Sequence, residues 1–216
     1  MTKQGTNTWT LTGASTYTGA TTVSGGTLKA TTPAYTNFLA NAGGVNLANA
    51  GGKLLLDYTG GSSPVATVKT ILDGGFASNF ATGQIRSTTL TTGHTIGYGD
   101  NGTDTVTIRV TLSGDADLDG DVDFNDFLAL QTSYGNTGTR FDQGNFDYNG
   151  VTDFNDFLAL QTNFGQSIGF DAATPQFTAD QFAMVMAITS ATQVPEPTTL
   201  AVIGLGAASL LRRRHR

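Results

Sequence analysis

Most of the side chains able to do chemistry in this chain are carboxylates, and they concentrate in two registered runs. The first is Asp115-Ala-Asp-Leu-Asp-Gly-Asp-Val-Asp-Phe-Asn-Asp126; the second is Asn145-Phe-Asp-Tyr-Asn-Gly-Val-Thr-Asp-Phe-Asn-Asp156. The same Phe-Leu-Ala-Leu-Gln-Thr follows each, ending at Thr132 and Thr162, so the copies are offset by 30 residues. Oxygen-bearing side chains fall at loop positions 1, 3, 5, 9 and 12, with glycine at 6, which is the spacing of a calcium loop. Calcium is a hard cation that collects six to eight oxygens at about 2.3–2.6 Å. Alternate residues of a turning chain supply them, and a glycine makes the sharp turn, here Gly120 and Gly150.

The spacing therefore predicts two Ca2+ sites. Site one takes Asp115, Asp117, Asp119, Asp123 and Asp126, with the backbone carbonyl of Asp121 at position 7. Site two takes Asn145, Asp147, Asn149, Asp153 and Asp156, with the carbonyl of Val151. Position 9 binds directly or through a water. Two amides replace carboxylates in site two, so it is expected to be the weaker. Five clustered carboxylates without a cation would repel one another.

The elements that must hold these loops are helices on their C-terminal side. Asp123 and Asp153 can cap them, and Asp126 and Asp156 lie at the favourable end of the dipole. Phe124, Phe127, Leu128 and Tyr134 are expected to share one face, and Phe154, Phe157, Leu158 and Phe164 the equivalent face. Gly135 and Gly165 end the helices. No convincing helix enters either loop.

The rest of the 216 residues is poor in charge, at 13%, and rich in Gly, Thr, Ser and Asn, which suits a β architecture with many turns. There is no cysteine, hence no disulfide framework and no thiolate metal site. The net charge is −6, with ten Asp and one Arg in residues 115–156 and a basic Arg-Arg-Arg-His-Arg terminus, so nucleic-acid binding is not expected. His94 reads as a surface or turn residue, and Glu196 is the one glutamate. No Ser-His-Asp elbow, phosphate loop or dinucleotide fingerprint is present, so the chain reads as non-enzymatic.

In chain order, Trp9 and Leu11 alternate with threonines, and glycines punctuate short strands through residue 28. Residues 43–47 and 51–58 read as strands entered from Gly-Gly turns. Val65, Val68, Ile71 and Leu72 recur at helical spacing, so a helix is predicted over 64–73, capped by Ser62 or Ser63 and stopped by Gly74-Gly75. Residues 84–88, 94–99 and 105–112 read as strands, the last two as a hairpin through Gly99-Asp-Asn-Gly102. Val106, Ile108, Val110 and Leu112 alternate, so one face is expected to be buried. Residues 177–188 read as a short helix. The stretch Thr198–Leu211 is uncharged and spans ~21 Å as a helix, short of a ~30 Å hydrocarbon core.

Three family resemblances follow. Residues 7–28 resemble the autotransporter-associated β-strand repeat, which implies a rung of a β-solenoid. Residues 115–166 resemble a type I dockerin, which implies calcium-dependent folding, antiparallel helices with near two-fold symmetry, and a cohesin-like protein as partner. In that comparison, positions 10 and 11 carry Phe124-Asn125 and Phe154-Asn155 where a Ser/Thr-type recognition pair is usual. A docking role and a purely structural one therefore both stand. The tail, Val194-Pro195-Glu196-Pro197, a short apolar stretch and the terminal arginines, resembles the PEP-CTERM sorting signal. That implies processing by an exosortase, transient inner-membrane contact, and delivery to the cell surface or extracellular matrix. Such a signal presupposes an N-terminal export signal, and Met1–Asn7 has no apolar run, so the chain reads as the C-terminal part of a longer one.

The expected fold is mainly β with a small α module. It comprises a β-solenoid-like or β-sandwich-like region (1–112), a dockerin-like duplicated calcium loop–helix domain (113–166), a linker with a short helix (167–193) and a sorting signal ending in a hydrophobic helix (194–216). The expected function is that of an exported surface protein with a calcium-stabilised docking or stapling module. The alternative is the end of a β-solenoid that binds or degrades extracellular polysaccharide.

Overall fold

The computed structural model describes residues 1–14, 18–40, 43–48 and 51–169. The tail, including Val194–Pro197, the expected helix at 177–188 and the expected hydrophobic C-terminal helix, lies outside the described residues. No helix among the described residues is long and apolar enough to cross a membrane.

Among the described residues, nine short strands build two sheets with a few short helices. They are β1 (Thr2–Lys3), β2 (Thr8–Leu11), β3 (Thr21–Val23), β4 (Gly26–Thr31), β5 (Val45–Leu47), β6 (Gly52–Asp57), β7 (Ile85–Arg86), β8 (His94–Asp100) and β9 (Thr105–Leu112). The helices are α1 (Ala34–Ala40), α2 (Val65–Phe76), α3 (Phe124–Ser133) and α4 (Phe154–Asn163), with a 3-10 turn at Phe141–Gln143. Odd-numbered strands β1-β3-β5-β7 pair in parallel to form the first sheet. The second, β2-β4-β6-β9-β8, is parallel through β6 and closes with the antiparallel β9-β8 hairpin. Successive strands thus alternate between sheets up to β8, and the sheets meet across a core of Val23, Val45, Leu47 and Ile85 against Leu28, Leu54 and Leu56.

Period two sets the register, because each inward residue lines up with the next strand's inward residue. Trp9, Leu28, Leu54, Ile108 and Tyr98 form one row across the second sheet. Leu28, Leu54, Ile108 and Tyr98 are fully buried, whereas Trp9 stays 44% exposed. Trp9 has the inward parity but sits on the edge strand, where no further strand among the described residues covers it. Its ring lies 5.5 Å from the ammonium of Lys3, which is itself buried and donates to the carbonyls of Gln4, Gly5 and Gly25.

Three local expectations need correction. Helix α2 does not stop at Gly74-Gly75; it runs to Phe76, because Gly75 is buried under the Phe80 ring, where a Cβ would lie 3.2 Å from Phe80 Cδ1. Helix α1 was not expected from sequence. Strand β9 is buried on both faces in its second half: Val110 and Leu112 face the core, while Arg109 and Thr111 are buried on the other side. The cause is that the loop–helix segment folds back onto that face. Gly97 makes room for it, since a Cβ there would lie 2.6 Å from Leu118 Cδ2 and 2.7 Å from Phe141 Cε1. The described residues accordingly cluster as one unit.

Candidate metal centre

Each loop ends in a helix whose first turn is built by its own carboxylates. Asp123 and Asp153 are the N-caps of α3 and α4 and accept from the N–H of Asn125 (2.8 Å) and Asn155 (2.7 Å). Asp126 and Asp156 return a bond to the N–H of Asp123 (2.7 Å) and Asp153 (2.8 Å), completing a capping box at each helix. Their second oxygens reach back across the loop. Asp126 accepts from Ala116 and Asp117 (2.7 and 3.2 Å), Asp156 from Phe146 and Asp147 (2.7 and 3.1 Å). One carboxylate thus fixes both ends of a twelve-residue loop, whose φ at Gly120 is 101° and at Gly150 is 86°.

The 30-residue repeat extends to the backbone braces between copies. Gly135 N–H donates to Thr152 O and Gly165 N–H to Val122 O, each at 2.8 Å. Thr137 bridges Val151, and Ser167 bridges Asp121. The bridging bonds come from the residues flanking position 7, such as Val122 N–H to Gln166 O and Ile168 N–H to Gly120 O. Each loop is therefore closed by the segment that follows the other copy's helix. Phe127 and Phe157 meet edge to face at 6.5 Å between the helices. Gly114 and Gly144 each pass against the opposite helix, where a Cβ would lie 2.8 Å from Leu160 Cα and 2.6 Å from Leu130 Cα.

In site one, carboxylate oxygens of Asp115, Asp117 and Asp126 lie within 4.8 Å of one another. Asp115 and Asp126 are buried and Asp117 is exposed, so the cluster opens to one side. Asp119 and Asp123 are half-buried on the same loop, as is Asp121. Asp115 is oriented by the Thr111 hydroxyl of β9 and by the N–H groups of Gly120 (3.0 Å) and Asp119 (3.2 Å). Burial, aided by the neighbouring carboxylates, pushes Asp126 up to about 9, Asp115 to about 7 and Asp117 to about 6. A divalent cation removes the cause of these shifts, since it replaces lost hydration and cancels mutual repulsion.

In site two, Asn145 and Asp156 are buried, Asp147, Asp153 and Val151 half-buried, and Asn149 exposed. Burial raises Asp156 to about 6 and also raises Asp147. Asn145 donates its Nδ2 to Thr139 O at 3.0 Å, and its Oδ1 is buried with no hydrogen bond. A buried amide oxygen without a donor is costly, and a cation at position 1 would satisfy it. The donor set is all oxygen and hard, which fits calcium rather than zinc or copper.

Loop position 4 carries anchors that the sequence reading did not single out. Leu118 and Tyr148 take φ of 64° and 61°, and their bulky side chains are buried. Leu118 O accepts from Arg109 Nη1 at 3.0 Å. The Tyr148 hydroxyl donates to Ile96 O, and its ring stacks on Phe76 at 5.1 Å and meets Phe80 at 5.3 Å and Phe141 at 5.9 Å. A large apolar residue in the same loop position of both copies was the available signal.

The helix faces also differ from expectation. Phe127 and Leu130, and Phe157 and Leu160, are buried, whereas Leu128, Tyr134 and Leu158 are 42%, 52% and 42% exposed. The buried stripe follows the i, i+3 step from the capping carboxylate, so Leu128 and Leu158 turn outward. Phe124 is half-buried and stacks on Phe127; Phe154 stacks on Phe157 yet is 58% exposed, and Asn125 and Asn155 are exposed beside them. His94 starts β8, half-buried, with Nδ1 2.9 Å from Thr91 Oγ1.

Comparison with known proteins finds two matches, one at each end. The passenger-associated transport repeat matches residues 1–30, and the PEP-CTERM protein-sorting motif matches residues 193–216. No dockerin family matches the loops, and no curated protein or solved structure matches the chain. The sorting motif indicates an exported cell-surface protein that is sorted by an exosortase and whose C-terminal tail is membrane-associated before processing.

Proposed function

We propose that this surface protein binds two calcium ions in the registered loops, and that the ions staple a dockerin-like loop–helix pair onto the end of a β-solenoid. The observation that carries the reading is the convergence of Asp115, Asp117 and Asp126 oxygens within 4.8 Å in a loop whose hydrogen bonds recur 30 residues later. Asp119, Asp123 and the Asp121 carbonyl complete the first shell. Asn145, Asp147, Asn149, Asp153, Asp156 and the Val151 carbonyl would hold the ion of site two. The ligands' own chemistry supports a structural role, because the capping carboxylates that hold the helices are the same groups that would close the metal shell. The parallel alternation of strands between two sheets supports the solenoid reading, with residues 1–30 as its repeat unit.

The module also offers Phe124-Asn125 and Phe154-Asn155 at its surface, and we read this pair as the face for a cohesin-like protein partner. We assign no catalytic role to the chain and place the processed protein at the cell surface or in the extracellular matrix. Calorimetric titration of the chelated chain with calcium tests the reading. Two binding events with a gain in thermal stability are expected; absence of calcium heat and of any stability change overturns it.

A further inference from the structure

Loop two carries a covalent weak point that the calcium reading leaves unused. Asparagine followed by glycine occurs twice in the chain, at Asn101-Gly102 and Asn149-Gly150. In such a pair the glycine backbone nitrogen, unshielded by a side chain, can attack the asparagine Cγ. The N–Cγ bond forms, the Cγ–Nδ2 bond breaks, and ammonia leaves with the proton lost from the backbone nitrogen. Water then opens the resulting succinimide at one of its two carbonyls and gives aspartate or isoaspartate. The reaction needs a glycine N–H that is free to lose its proton and a side chain free to turn its Cγ onto that nitrogen.

Both asparagines are exposed, but the two pairs differ in what holds them. In the β8–β9 turn the Gly102 N–H donates to Asp100 Oδ1 at 2.9 Å. Asn101 Oδ1 accepts from the N–H groups of Thr103, Asp104 and Thr105, each at 3.0 Å, and its Nδ2 donates to Asp104 Oδ1 at 2.9 Å. In loop two the Gly150 N–H has no acceptor among the described residues, and a Cβ there would meet nothing within 4 Å. The equivalent N–H of loop one, on Gly120, donates to Asp115 Oδ2 at 3.0 Å. Loop two has Asn145 in that place, and its Oδ1 receives no hydrogen bond. Asn149 itself is held by two bonds, one from Val151 N–H to Oδ1 at 2.7 Å and one from Nδ2 to Asp147 Oδ2 at 3.0 Å. Asn149 stands at loop position 5, where loop one has Asp119. Its conversion to aspartate would give loop two the Asp-x-Asp-Gly run of loop one and add a carboxylate to the weaker shell.

We propose that Asn149-Gly150 is a self-deamidation site and that its aspartate product strengthens calcium binding at site two. The modification stands on the geometry of the loop alone, and its consequence rests on the calcium reading above. The test ages the full chain in mildly alkaline buffer, with chelator, with calcium and in urea, and follows each asparagine by peptide mass. In the folded, chelated chain Asn149 should convert at least about tenfold faster than Asn101, whose hydrogen bonds must break first. In urea the two should convert at similar rates, because both precede glycine. Calcium should slow Asn149 by holding its Oδ1. Asn149→Asp, which carries the product from the start, should tighten site two about tenfold in calorimetry and leave site one unchanged. Equal conversion at Asn101 and Asn149 in the folded chain, or conversion at Asn149 only in urea, overturns the modification site. An Asn149→Asp chain that binds two ions no more tightly than the fresh chain, or conversion indifferent to calcium in a chain that binds it, overturns the strengthening. No calcium uptake by either form removes the strengthening together with the calcium reading, and the peptide masses then decide the modification by themselves.

Discussion

Replacing Tyr148 by alanine should destabilise the whole body, sheets included. Tyr148 lies in the second registered loop, yet its ring is 6% exposed and packs on Phe76 of α2, on Phe80 and on Phe141. Deleting a buried aromatic costs ~3–5 kcal/mol, because transfer energy and cavity energy add. The hydroxyl bond to Ile96 O adds about 1 kcal/mol. For a unit of this size, each kcal/mol lowers Tm by roughly 2–4 °C, so a fall of about 8–24 °C is expected. The assay is thermal unfolding followed both by helix ellipticity and by Trp9 fluorescence, which reports the far edge of the second sheet. Both signals should move together, with calcium and with chelator. A loop–helix signal that falls while the Trp9 transition stays in place would refute the claim that the segment is welded to the sheet.

Three further outcomes follow from the same geometry. Asp126→Asn with Asp156→Asn should abolish calcium-induced stabilisation, which at a hundredfold excess over Kd is worth about 2.7 kcal/mol per site; scanning calorimetry with and without calcium reads the loss. Gly144→Ala should cost about 1–3 kcal/mol in urea unfolding, because its Cβ meets the Leu130 backbone and its φ is 89°. Burial raises Asp126 to about 9 and Asp115 to about 7, above their ordinary 3.8. A carboxylate raised in the folded state contributes stability that is complete below its unfolded pKa and is lost as pH rises through its folded pKa. The chelated protein should therefore lose stability from about pH 4 to pH 9, and calcium should remove that slope; urea midpoints across the range check it.

The local rules of the sequence reached far where one residue type can do one job. Period two located β2 and β9, turn glycines located β6 and β8, and the spacing of oxygen-bearing residues around Gly120 and Gly150 located loops that lead into capped helices. What local pattern could not show was which faces meet. Arg109 and Thr111 have outward parity on β9 and become buried because Leu118 and Phe141 dock on that face beside Gly97, a contact set by chain reversal rather than by periodicity. Leu128 and Leu158 look like core residues in a helical stripe, but the capping carboxylates fix the helix rotation and turn them outward. Gly75 reads as a helix stop because its propensity is poor, yet packing under Phe80 selects the absence of a side chain there.

The central claim, that the two registered loops are calcium sites which hold the helices to the sheet, is tested most directly by calorimetric titration of the chelated chain with calcium while helix content is recorded. The account predicts two ions per chain, with site one, richer in carboxylates, binding the tighter, and a rise in Tm on loading. A chain that takes up no calcium, or takes it up without any change in unfolding, would contradict it.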